Sequence, residues 1–176
     1  FDERKCVDML HILKGVERFC NGKYICGGMG YADGSATSDS EHMLEKWQNG
    51  KDYQNFKLGW TTDFNEMAEY ENEAVSRSIS KTTNILITHF PAIQLIERNS
   101  ELEPKGLDYG LSAFDGSKIL EKLPDGAIWH SGHLHDQFKR ELTVNCKKIL
   151  SISNAVGSPD KPPHHKLDKK EFLINF

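Results

Sequence analysis

The sequence predicts an α/β protein, and three observations carry that expectation. Apolar residues recur every three or four positions over residues 2–19, 41–76 and 114–123, the periodicity of helices that bury one face. Between and after them lie short apolar runs at 23–28, 84–88, 127–129, 138–144 and 148–153, bounded by polar or turn-forming residues as strands are. Two of those runs deliver the chain directly into histidines, at 89 and at 130–135.

Cys6, Met9, Leu10, Leu13, Val16 and Phe19 make the buried stripe of the first helix, and Asn21-Gly22 stops it. The run Lys23-Tyr-Ile-Cys-Gly-Gly reads as a buried strand entering a Gly-rich turn, followed by a loop over 32–40. Residues 41–76 are helical, interrupted over 50–62, and acidic. Trp47, Tyr53, Phe56, Trp60, Phe64 and Tyr70 there supply either core or the walls of a cap over a substrate. Asn84 to Thr88 is apolar throughout its middle, as a strand buried on both faces is, and Pro91 ends it because proline cannot donate to a ladder. A polar loop over 99–109 leads to a helix over 114–123 with Ile119, Leu120 and Leu123 on its buried side. Pro124-Asp125-Gly126 is a turn, residues 138–153 form a hairpin turning near Asn145, and 171–176 is a last strand.

The chain of 176 residues is the size of one domain. Its 22 basic and 26 acidic residues leave a net charge of −4, so an electrostatic grip on nucleic acid is not signalled. With 38% apolar and 27% charged residues it has the composition of a globular protein rather than a disordered one. No apolar run approaches the roughly 20 residues of a membrane helix, and no secretory leader pattern is present. Cys6, Cys20, Cys26 and Cys146 match neither a metal motif nor a disulfide framework, which leaves them as free thiols of a reducing, cytoplasmic setting. Oligomeric state is not legible.

The chemistry concentrates in the histidines. In Gly132-His133-Leu134-His135 a glycine permits a tight turn, and two imidazoles one residue apart can reach neighbouring points at a sheet edge. Imidazole is a ligand for Zn, Mn, Fe or Ni, and loops at the carboxyl ends of strands are where open sheets place ligands. An isolated H-x-H is more often an exposed pair than a site. Three elements combine here, however: Asn84-Ile-Leu-Ile-Thr-His89-Phe-Pro, the G-H-x-H at 132–135, and Ile152-Ser-Asn154-Ala-Val-Gly157-Ser158, each at the end of an expected strand.

In that order they resemble the calcineurin-like metallophosphoesterases over residues 23–158. The resemblance, rather than strand counting, implies two mixed β-sheets packed as a sandwich and flanked by helices. It implies a dinuclear centre of two divalent metal ions (Mn, Fe, Zn or Ni), with His89 and His133 on the second metal and His135 on the first. It further implies a phosphoester substrate attacked by a hydroxide held between the ions, which screen the charge of the ester. Asn154, Gly157 and Ser158 resemble the strand-end turn beside the site. Strand alternation makes His130 a satisfied buried histidine or a supporting donor rather than a ligand, and His164-His165, after Pro162-Pro163 in a lysine-rich loop, is solvated and could overhang substrate.

The family's Asp-x-His, Gly-Asp and Gly-Asn-His motifs have no counterpart here: Asp33-Gly34 reverses the order, Asp115-Gly116 opens a helix, and Asn84 precedes Ile85. Without a bridging carboxylate two adjacent cations repel, so His89, His133 and His135 do not make such a centre alone. The simplest expectation is that residues 1–176 are the carboxyl-terminal portion of a larger phosphoesterase domain, with 41–76 as a cap. A degenerate relative acting as a scaffold, a site completed by another chain, and another metallohydrolase using the same H-x-H are the alternatives.

Overall fold

Short β-branched and apolar runs build the centre of the fold. In the structure, a computed structural model, residues 15–36, 40–49, 63–96, 112–134 and 137–154 are described. Six strands are present among them: β1 (Arg18–Cys20), β2 (Lys23–Gly28), β3 (Thr83–Thr88), β4 (Ile128–Ser131), β5 (Gln137–Val144) and β6 (Lys147–Asn154). They form one mixed sheet in the order β1-β2-β3-β4-β6-β5. The four inner strands are parallel, so the carboxyl ends of β2, β3, β4 and β6 share one edge. Each outer strand is antiparallel to its neighbour.

Both outer pairs are hairpins closed by two residues with left-handed backbone. Asn21 and Gly22 (φ 48° and 77°) join β1 to β2, and Asn145 and Cys146 (φ 52° and 61°) join β5 to β6. Positive φ at both central positions matches the twist of flanking strands, which is why Asn-Gly is a hairpin signal. The second hairpin agrees with the sequence expectation. The first corrects it: Arg18–Cys20 is a strand, not the end of a helix over 2–19. The rest of that expected helix up to residue 14, the loop over 99–109, the interruption at 50–62 and the strand over 171–176 lie outside the described residues. The glycine pair is also corrected, since Gly27 and Gly28 belong to β2 rather than to a turn after it.

Among the described residues three α-helices accompany the sheet: α1 (Ser40–Asn49), α2 (Phe64–Ser78) and α3 (Ser117–Lys122). The Asp63 carboxylate accepts from the Glu66 amide at 3.0 Å, satisfying one otherwise unpaired donor at the start of α2. Register puts Cys26, Leu86, Trp129 and Ser151 side by side on one face of the sheet. There Cys26, Leu86 and Trp129 join Val75 of α2 and Ile119 and Leu120 of α3 in the core. Full burial of one such large side chain is worth about 1.5–3 kcal/mol. The opposite face carries Ile25, Ile85, Ile87, Ile128, His130, Leu150 and Ile152. At the amino-terminal edge, the Glu17 carboxylate accepts from the Ser80 hydroxyl at 2.8 Å and from the Thr83 hydroxyl, tying the approach to β1 to the start of β3.

Candidate metal centre

At the carboxyl edge the ends of β3 and β4 lie side by side, since these strands pair in parallel through Ile87 and His130. Past Thr88 the β3 chain turns, and the Met29 carbonyl receives both the His89 amide (2.9 Å) and the Phe90 amide (3.1 Å). The His89 carbonyl in turn accepts from the Gly132 amide at 3.0 Å. The loops after β2, β3 and β4 are thereby stitched together by backbone bonds.

Next to that last bond the chain makes a three-residue turn, closed by the Leu134 amide on the Gly132 carbonyl at 2.8 Å. Its central residue is His133, with φ 64°. The sequence places the turn's conformational demand on Gly132, whereas the structure places it on His133. A Cβ on Gly132 would come no nearer than 3.6 Å to the His89 carbonyl oxygen, an ordinary contact. Left-handed backbone in a non-glycine residue is uncommon; among the described residues it occurs otherwise only in the two hairpin turns, at Asn21, Asn145 and Cys146.

The turn aims His133 at His89. Nδ1 of His133 lies 3.1 Å from Nε2 of His89, and the ring centroids are 5.0 Å apart at 75°. The Phe90 ring backs both, with centroids 4.1 Å from His133 and 4.9 Å from His89. Phe90 is buried, while His133 is half-buried and His89 exposed, so the pair has an apolar rear wall and an open front. Two of the three expected ligands are therefore together. His135, Gly157, Ser158 and the pair His164-His165 lie outside the described residues, and Asn154 is placed only as the last residue of β6, beside Gln137.

The 3.1 Å contact is a hydrogen bond between the rings, one nitrogen donating and the other accepting according to tautomer. Two nitrogen ligands at about 2.0–2.1 Å from one ion would, at that separation, subtend about 100° at it. Among the described residues alone, no group of three or more His, Cys, Asp or Glu side chains is gathered for a metal. The Asp33 and Asp115 carboxylates bond to neighbouring backbone and hydroxyl groups. Asp33 accepts from the Asp115 amide at 2.9 Å, and Asp115 accepts from the Ser117 hydroxyl at 2.6 Å and amide at 2.9 Å. Those bonds hold the Asp115 carboxyl below the ordinary carboxylate range. The Asn84 side chain accepts from the Tyr24 amide at 2.9 Å, a structural duty.

His130 sits mid-strand between Ile87 and Ile152, half-buried, and burial pulls its imidazole below the ordinary pKa of 6.5. Phe90, through its ring, and Met29, through its carbonyl, touch the segment that carries the pair, and neither is a candidate from sequence. Their only sequence signal was position, in or next to the strand ends that deliver the histidines. A cavity of about 670 Å³ between α2 and α3 is lined by Asp33, Asn72, Asp115 and Lys122, among others, and by neither imidazole. Comparison of the sequence with protein-family models and with curated proteins finds no match.

Proposed function

We propose that the chain is part of a metal-dependent phosphoesterase of the calcineurin-like kind, hydrolysing a phosphate monoester or diester. The observation that carries this is the 3.1 Å approach of His89 and His133, delivered from the carboxyl ends of two adjacent parallel strands. His89 and His133 would hold one divalent ion, and His135 would serve a second beside it. Such ions, when bound, supply Lewis-acid chemistry: they neutralise phosphate oxygens and lower the pKa of water. The chain's own residues orient and shield. The Met29 carbonyl fixes the backbone that bears His89, the left-handed turn directs His133, and Phe90 keeps water from the rear of both rings.

On the same reading, the sheet described above is one layer of a two-sheet sandwich. The row Ile25, Ile85, Ile128 and Leu150, turned away from the core around Trp129, is what such a second layer would cover. Of the aromatics offered as core or cap, Trp47 and Phe64 belong to the core, and the protein would act in the cytoplasm. No helix among the described residues is long and apolar enough to cross a membrane.

One sequence fact favours a second reading, a metal-free scaffold on the same fold: no Asp-x-His, Gly-Asp or Gly-Asn-His motif is present. Metal analysis and turnover separate the two. Stoichiometric Mn, Fe, Zn or Ni in the complete protein that contains residues 1–176, with hydrolysis of an aryl phosphate or phosphodiester that falls by orders of magnitude in His133→Ala, is the expected outcome. A complete protein that takes up no metal and turns over no ester would establish the scaffold instead.

A further inference from the structure

We propose that Trp129 and Thr88 are positioning residues for the histidine pair, acting through the Phe90 carbonyl. The inference rests on the metal-centre reading but concerns the geometry of the pair, which exists before any ion binds. The indole Nε1 of Trp129 donates to the Thr88 hydroxyl at 2.8 Å, and that hydroxyl donates to the Phe90 carbonyl at 2.6 Å. An indole N–H is a donor only, so the direction of both bonds is fixed: the hydroxyl accepts from Trp129 and its single proton goes to Phe90. All three residues are buried, with Trp129 0%, Thr88 4% and Phe90 2% exposed, so water cannot replace the relay.

Phe90 is the hinge of the site. Its amide and that of His89 share one acceptor, the Met29 carbonyl, and its ring is the surface on which both imidazoles rest. A shared acceptor holds two amides less firmly than two acceptors would. The orientation of Phe90 is therefore set also at the next peptide group, the one joining it to Pro91, whose carbonyl Thr88 holds. Trp129 is anchored in β4 opposite Leu86, four residues before His133. The relay thus joins the strand that delivers His133 to the loop that delivers His89, and sets the separation of the two rings from both sides. Hydrogen-bond partners directly on metal-binding imidazoles commonly change metal affinity by 10–100-fold when removed; this relay acts one step further back, through the Phe90 backbone.

Three variants of the full chain test this: Thr88→Val, which keeps the shape and loses the hydroxyl; Trp129→Phe, which keeps an aromatic ring and loses the N–H; and Thr88→Ser, which keeps the hydroxyl. The first readout is nuclear magnetic resonance of the metal-free protein, following ring-to-ring contacts and ring-current shifts of His89 and His133. Loss or averaging of these signals in Thr88→Val and Trp129→Phe, with retention in Thr88→Ser and no change at the distant Tyr24 ring, is the expected result. Unchanged imidazole signals in both hydroxyl- and N–H-lacking variants would overturn the proposal, as would equal damage in Thr88→Ser. The second readout is titration with Co2+ followed by visible absorption. Affinity falling by about 10-fold or more in Thr88→Val supports the proposal, and affinity equal to that of wild type overturns it. Two or three imidazoles without carboxylates hold Co2+ weakly, so wild-type protein that binds none leaves the decision to the metal-free signals, which do not depend on the metal-centre reading.

Discussion

A Cβ on Gly27 would stand 2.2 Å from the carbonyl oxygen of Ile87, so β2 and β3 approach here more closely than any side chain allows. The contact is with backbone of an inner strand, which cannot rotate away. Gly27→Ala should therefore cost about 1–3 kcal/mol or more, the scale of overpacking in a tight core. Gly28→Ala should cost less, because its Cβ would meet the Val75 Cγ2 methyl at 2.9 Å, the end of a side chain. Urea denaturation midpoints compare the two; equal losses would mean that β2 shifts to accommodate either methyl.

His130 should make stability depend on pH. Its folded pKa lies below 6.5 because burial disfavours the imidazolium, whereas the unfolded chain restores the ordinary value. The stability is then fully present above pH 6.5 and is lost as pH falls from there through the lower folded pKa. His130→Gln cannot take up a proton and should flatten this part of the profile. Denaturant unfolding of both proteins between pH 5 and pH 8, without metal, isolates the difference. Parallel profiles would show that His130 protonates equally in both states.

The parts legible in the sequence were those with a local signal. The apolar middle of Thr83–Thr88 is surrounded by sheet, and Asn145 does turn a hairpin. Asn21-Gly22 carried a hairpin signal as strong as any, but the three-to-four spacing of Val16 and Phe19 upstream made it read as a helix stop. A three-residue strand such as Arg18–Cys20 is too short to show period-two alternation, and its existence depends on pairing with Lys23–Tyr24–Ile25. At the site, His89 and His133 stood out because histidine at a strand end is chemically conspicuous. The Trp129–Thr88–Phe90 relay was illegible for the opposite reason: each member looks like ordinary strand or loop, and only the parallel register of β3 and β4 brings them together.

Lys147 ends α3 from a distance. Its ammonium donates to the carbonyls of Leu120 (3.2 Å), Glu121 (2.6 Å) and Leu123 (2.8 Å), which follow the helix axis out of its last turn. A cation there satisfies unpaired carbonyls and opposes the negative end of the helix dipole. Lys147→Met keeps the apolar stem and should cost about 1–2 kcal/mol. Amide exchange should also quicken in α3 ahead of the sheet. A loss confined to the β5–β6 hairpin, with α3 unaffected, would count against this capping role.

The backbone at His133 offers a measurement independent of its imidazole. A side chain at φ 64° strains the backbone by about 1–2 kcal/mol relative to glycine, which adopts that region freely. Alanine and glycine both remove the ring and its contacts with His89 and Phe90, so comparing them cancels that loss. His133→Gly should then be the more stable by about 1 kcal/mol, after the greater flexibility of glycine in the unfolded chain is subtracted. Thermal unfolding of the two variants supplies the test, and an alanine variant as stable as the glycine one would mean that the turn relaxes once the imidazole is gone. If the difference appears, position 133 holds a residue that its backbone disfavours. Glycine would relieve that strain but lose the imidazole, whose ring lies against His89 and Phe90.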